Sequence, residues 1–179
     1  MQVIFIYGPA AAGKHTIGSA LSEQLGLPLF HNHLTVDLAK SLFDFGTAGF
    51  RNLRADVWRA AFREAAKEEV SFIFTFHPEA TVESSLVSEL SSTIEEAGGV
   101  VFYVKLECSH ATILSRIPLK SRKQFGKLTD PDLYQQIHAE GGFEFEGMPK
   151  PDLRIDTESI GPLEAAKLIT EALKREKMT

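Results

Sequence analysis

The chain has 179 residues, 44% of them hydrophobic, with one cysteine and a formal net charge of −5. The length suits a single domain spanning 1–179. The acidic balance argues against a nucleic-acid partner, and the lone Cys108 excludes an internal disulfide and fits a cytoplasmic location. No run approaches the ~20 apolar residues that span a bilayer, and a Gly-Pro break directly after "VIFIY" is unlike a secretory leader, so no membrane partner is expected.

"QVIFIY" predicts a buried strand at the start of the chain. Ile17, Leu21 and Leu25 then recur at helical spacing over 14–25, stopped by Gly26 and Pro28. "LPLFHN" predicts a short second strand. Helices are expected over 35–45 and 48–68, the latter with Leu53, Val57 and Ala61 as its apolar stripe. "VSFIFTF" is a third strand. A helix over 80–97 carries Val82, Leu86, Leu90 and Ile94 and ends at Gly98-Gly99. "VVFYVKL" is a fourth strand, 109–117 a short helix and "DLRID" a fifth strand. The last helix starts at Pro162, with Glu164 in its first turn and Ala166, Ile169 and Leu173 inward.

Strands alternating with helices imply parallel pairing and right-handed crossovers. The strands are apolar runs rather than alternating ones, as expected where both sheet faces are covered. Two stretches break the rhythm. Residues 32–68 hold two helices with no strand between, and 118–150 is polar and punctuated by glycine. Such insertions usually cover a substrate.

The first strand runs into "YGPAAAGKHTIG", which satisfies G-x-x-x-x-G-K but has His15 where Ser or Thr is usual and Thr16 one place later. The pattern arises by chance in roughly one chain in twenty of this length. Its position, closing a strand and opening a helix, is the one the chemistry requires. Glycine backbone at 8 and 13 lets successive N–H groups turn toward phosphate oxygens, the helix start adds positive potential, and Lys14 supplies a compact cation. Gly8, Pro9, Ala10, Ala11, Ala12, Gly13, Lys14, His15 and Thr16 are therefore the candidate nucleotide-binding loop.

The chain resembles the P-loop small-molecule kinases, the shikimate, gluconate and adenylate kinases and their relatives. The resemblance is carried by "GPAAAGKHT", the basic segment 116–127 and "RIDTESIGPLEAA". It implies a three-layer α/β/α P-loop NTPase fold with a five-stranded parallel sheet in the order 2-3-1-4-5. A substrate-binding insertion would occupy about 32–68 and a lid about 117–150. It also implies ATP and Mg²⁺. Adenylate kinases read G-K-G-T at the loop; on that pattern Thr16 would meet the phosphates or the hydrated metal, while His15 would point outward from the first helical turn. Arg116 and Arg122 would be the lid arginines. Asp156 and Thr157 would border the adenine, with Ser159 beside them; helix capping is the other reading of that turn.

The acceptor side departs from the resembling kinases. Where they bear an aspartate at the end of strand two, this chain has His31, Asn32 and His33, with Asp37 the nearest carboxylate. A neutral imidazole can accept a proton near pH 7, so His31 or His33 is a candidate base. Alternation along an extended chain would turn only one of them to the site. Asp37 and Glu79 follow. Thr75, His77 and Glu79 stand where a Walker B aspartate would be sought, and His77 and Glu79 are candidate substrate contacts. Arg51 and Arg54, at i and i+3, suit a carboxylate or phosphate on an anionic acceptor. Phe45, Phe50 and Trp58 read as packing.

Three functions compete. The first is an ATP-dependent phosphotransferase acting on a small-molecule acceptor. The second is a nucleotide-binding protein or slow NTPase without kinase activity, favoured by the missing strand-two aspartate. The third is a metal enzyme using His31, His33 and His77. The residues leave open ATP against GTP, and monomer against homodimer.

Overall fold

The structure, a computed structural model, describes residues 1–120, 122 and 127–176. Its strands are β1 (Gln2–Tyr7), β2 (Leu29–His31), β3 (Phe72–Phe76), β4 (Val100–Glu107) and β5 (Leu153–Asp156). Its helices are α1 (Lys14–Leu25), α2 (Asn32–Lys40), α3 (Ala48–Lys67), α4 (Leu86–Glu96), α5 (His110–Arg116), α6 (Pro131–Ala139) and α7 (Pro162–Glu176). The five strands form one sheet in the order β2-β3-β1-β4-β5, and every pairing is parallel. This is the predicted order.

Neighbouring residues of β1 face opposite layers, and both layers are dry. Val3, Phe5 and Tyr7 pack with Trp58 and Phe62 of α3 and Val87, Leu90 and Ile94 of α4. Ile4 and Ile6 pack with Ile17 and Leu21 of α1 and with Ile169 and Leu173 of α7. A strand covered on both faces has no polar side to show, which is why these strands read as unbroken apolar runs. Helix α1 ends as expected: Gly26 adopts φ 67° and its N–H donates to Ser22 O at 2.9 Å.

Several boundaries and faces differ from expectation. Helix α2 begins at Asn32 rather than 35, because β2 is only three residues long. Helix α4 begins at Leu86 rather than 80, leaving 77–85 as a loop at the end of β3. The buried stripe of α3 is Phe50, Arg54, Trp58, Phe62 and Ala66, one row away from the predicted Leu53, Val57 and Ala61. A charged residue in mid-row hides that seam from a hydrophobic reading. Helix α6 lies within the polar, glycine-punctuated stretch 118–150, where no helix is predicted, although it carries a readable start. Asp130 caps it, accepting from the N–H groups of Asp132 and Leu133, and Pro131 takes the first turn. No helix among the described residues is long and apolar enough to cross a membrane.

Candidate functional site

The carboxyl ends of the strands open into a cleft of about 1320 Å³. One drug-sized ligand needs roughly 300–1,000 Å³, so this space suits two molecules side by side.

Residues 10–16 form its floor, and Gly8 and Pro9 lead into them. Gly8 (φ 154°) and Gly13 (φ 89°) lie at positive φ. A Cβ on residue 8 would collide with the Leu106 carbonyl of β4, so only glycine fits. Ala11 also sits at positive φ, 59°. The first helical bond, Ile17 N to Gly13 O at 2.9 Å, leaves the amides of Lys14, His15 and Thr16 ahead of the α1 ladder. The Lys14 ammonium folds over the loop and donates to Gly8 O at 2.7 Å and Pro9 O at 2.6 Å. Burial, then the charge of Arg122, pushes its pKa down to about 7. Thr16 is exposed and lines the cleft.

His15 also lines the cleft instead of pointing away. Its ring meets that of His31 edge-on at 4.7 Å, and His31 lies 6.3 Å from His33. The expected alternation of His31 and His33 does not apply, since the chain turns helical at Asn32. His33 lines the cleft; His31 stands behind it against His15. Burial first, then Lys127, lowers His15 to about 4 and His33 to about 3. His77 is lowered to about 3 by burial and then by Lys14. His77 Nδ1 lies 3.3 Å from Gly8 O. A carbonyl only accepts, so this contact puts the proton on Nδ1 and leaves Nε2 as the acceptor nitrogen.

The cationic wall comes from the end of α5 and the segment after it. Arg116 donates to Thr157 Oγ1 at 3.1 Å and to Thr157 O at 2.6 Å, which ties the end of α5 to the turn after β5. Arg122 donates to Leu128 O from Nε at 3.1 Å and Nη2 at 3.0 Å. Both line the cleft with Lys127. Lys120 is exposed and Lys123 lies outside the described residues. Thr157 to Pro162 form the rim.

Like His31, the expected site residues Asp156, Asp37, Arg51 and Arg54 stand outside the lining. Asp156 is exposed and occupied by its own turn, accepting from Glu158 N at 2.9 Å and Ser159 Oγ at 3.1 Å; Thr157, the next residue, faces the cleft. Asp37 is exposed on α2 and is not part of the lining. Arg51 is exposed on α3 and likewise outside the cleft. Arg54 is 1% exposed, behind the wall. It pairs with Glu79, donates to Thr81 O at 2.8 Å, and lies over the rings of Phe50 and Trp58 at 5.0 and 5.2 Å. Glu79 itself reaches the cleft, as do Thr75 and His77. Phe50 and Trp58 are packing residues, whereas Phe45 is 53% exposed and lines the cleft.

Sequence reasoning did not single out Asn32, Lys40 or Phe143, all of which line the cleft. Asn32 carried a signal, since it occupies the site of the absent strand-two aspartate. Phe143 carried none; it arrives from beyond α6 and packs 5.3 Å from His77.

Among the described residues no group of three or more His, Cys, Asp or Glu side chains could hold a metal ion, so the metal-enzyme reading of His31, His33 and His77 finds no site. Mg²⁺, an oxygen-seeking ion that keeps much of its water, asks for less. The exposed Thr16 hydroxyl, beside the leading amides of α1, would fit it if a ligand's oxygens supplied the rest.

No protein-family model matches the chain, and no curated protein matches it. Solved structures do. The chain is similar to the APS kinase of Mycobacterium tuberculosis in complex with AMPPNP and APS, with TM-score 0.65 and 15% identity over 97% of both chains. It is similar to the shikimate kinase of Aquifex aeolicus (TM-score 0.57, 22% identity, 99% of both chains). The gluconokinase of Sinorhizobium meliloti gives TM-score 0.59 and 16% identity over 98% of this chain and 97% of that one. The fold is therefore that of the P-loop small-molecule kinases.

Proposed function

We propose that the chain is a phosphotransferase that moves the γ-phosphoryl group of ATP to a hydroxyl of a small molecule. One observation carries the reading. A strand-to-helix loop with two positive-φ glycines, leading amides and a converging lysine forms the floor of a cleft walled by Arg116, Arg122 and Lys127. Backbone N–H groups and cations aimed at one anion are what phosphoryl transfer needs, because its catalysis is chiefly positioning and charge stabilisation.

Lys14 would exchange the carbonyls of Gly8 and Pro9 for phosphate oxygens and follow the transferred group. Arg122 and Lys127 would lie over the triphosphate, and Arg116 with Thr157 would hold the base side. The acceptor oxygen attacks the γ-phosphorus as the bond to the β,γ-bridging oxygen breaks, and ADP leaves. The acceptor proton passes to a neutral imidazole, His33 or Nε2 of His77. Negative charge on the bound triphosphate raises the basicity of both. Mg²⁺, held by Thr16 and phosphate oxygens, would neutralise charge between the phosphoryl groups.

Lys14→Ala tests the reading. Its kcat in a labelled-ATP acceptor screen should fall by roughly 10²-fold or more; turnover within a few-fold of the parent would refute the role. The His31-Asn32-His33 sequence in place of a strand-two aspartate supports one rival, a slow NTPase. Release of ADP at one rate with and without acceptors would decide for that rival.

A further inference from the structure

The wall of the cleft facing the helical insertion carries information about the acceptor. Two arginines of α3, Arg51 and Arg54, would have marked an anionic acceptor, and neither lines the cleft. Arg51 is exposed outside it, and Arg54 is committed behind it to Glu79 and Thr81. The group that this buried clamp presents to the cleft is a carboxylate. Both described hydrogen bonds to Glu79, from Arg54 and from Thr81 Oγ1 at 2.8 Å, fall on Oε1. Oε2 takes none among the described residues.

Asn32 supplies a second hydrogen-bond acceptor. Its N–H is fixed by Thr75 Oγ1 at 3.3 Å, and its side chain belongs to the same lining. Asn32 Oδ1 is buried and has no hydrogen-bond partner among the described residues. A buried acceptor without a donor is costly, and a ligand that brings a donor removes that cost. Most cations of the cleft (Lys14, Arg116, Arg122, Lys127) belong to the phosphate loop, the end of α5 and the segment after it. The exception is Lys40, which ends α2 and is exposed, where solvent ions screen it.

We infer that the acceptor is a non-anionic polyol, neutral or bearing an ammonium group, whose hydroxyl or amine donors meet Asn32 Oδ1 and Glu79 Oε2. A carboxylate on the acceptor would set a second anion against Glu79 and bring acceptors to a wall that already holds acceptors. The inference rests on the kinase reading of the cleft, and its test separates the two.

The full chain is titrated by calorimetry with Mg²⁺ and AMPPNP, then with matched aldoses, sugar alcohols, 2-amino sugars and uronic acids. Neutral or amino members should bind at least about 10-fold tighter than the uronic acid of the same stereochemistry. Asn32→Ala, which leaves the Arg54–Glu79 pair intact, should weaken the preferred ligand by roughly 5- to 10-fold. Glu79→Gln keeps the shape of the side chain and should selectively weaken the amino sugars. AMPPNP affinity serves as the reference in each variant. A preference for uronic acids, no binding by any class, or a ranking unmoved by both substitutions overturns the inference while leaving the kinase reading in place. Absence of heat from AMPPNP itself removes that reading, and this inference with it.

Discussion

Lys14 is crowded by carbonyl oxygens it can use and cations it cannot, and its pKa of about 7 follows from burial and from Arg122. An unfolded lysine titrates near 10.5, so between about 7 and 10.5 the unfolded chain binds more protons and the fold gains stability as pH rises. A polyphosphate reverses the balance by favouring the ammonium. At pH 8, nucleotide binding should therefore take up a proton, toward ~1 per chain, and uptake through this group should fade by pH 6, where it is already charged. Calorimetry in two buffers of different ionisation enthalpy reads this directly. Equal heats at pH 8, or uptake that persists in Lys14→Met, would contradict it. Lys14 was legible in the sequence because a local pattern of small residues specifies its place. Arg54 and Asp156 were not, since their partners, Glu79 and the backbone of Glu158, are chosen by folding.

At the level of elements, the insertion is fastened through α3. Its i, i+4 row of Phe50, Arg54, Trp58 and Phe62 sets a guanidinium among aromatic rings and joins the helix to the loop after β3 through Glu79 and Thr81. Removing one partner of such a pair strands the other. Arg54→Ala should destabilise the fold by about 3–5 kcal/mol, seen as a lower urea midpoint. Replacing both partners, Arg54→Met with Glu79→Leu, should cost clearly less than the single change, because an apolar pair leaves no charge uncompensated. A single-variant loss below ~1 kcal/mol would show that the pair does not fasten the helix. Hydropathy alone pointed to the adjacent row, for a seam interrupted by arginine looks weaker than its neighbour. The start of α6 needed only attention to the Asp130-Pro131 pair.

For the molecule as a whole, alternating apolar strands and helices made a parallel sheet legible, and the resemblance carried by the loop motif supplied its strand order. The cleft was not legible in the same way. Residues of 10–16, of α2, of 75–81, of 116–119 with Arg122, of 127–133 and of 157–162 meet only because the carboxyl ends of the strands gather there. A ligand that joins so many segments binds only the folded chain. At 100-fold over its Kd, Mg-AMPPNP should add ~2.7 kcal/mol of stability and raise Tm by roughly 5–10 °C. Thermal denaturation checks this, and Lys14→Ala should abolish most of the shift. The narrow seat of Gly8 under the Leu106 carbonyl has a genetic corollary. No amino-acid replacement at residue 8 is neutral, and a lineage could accept one only after bending its fourth strand, so drift at these two places must travel together or not at all.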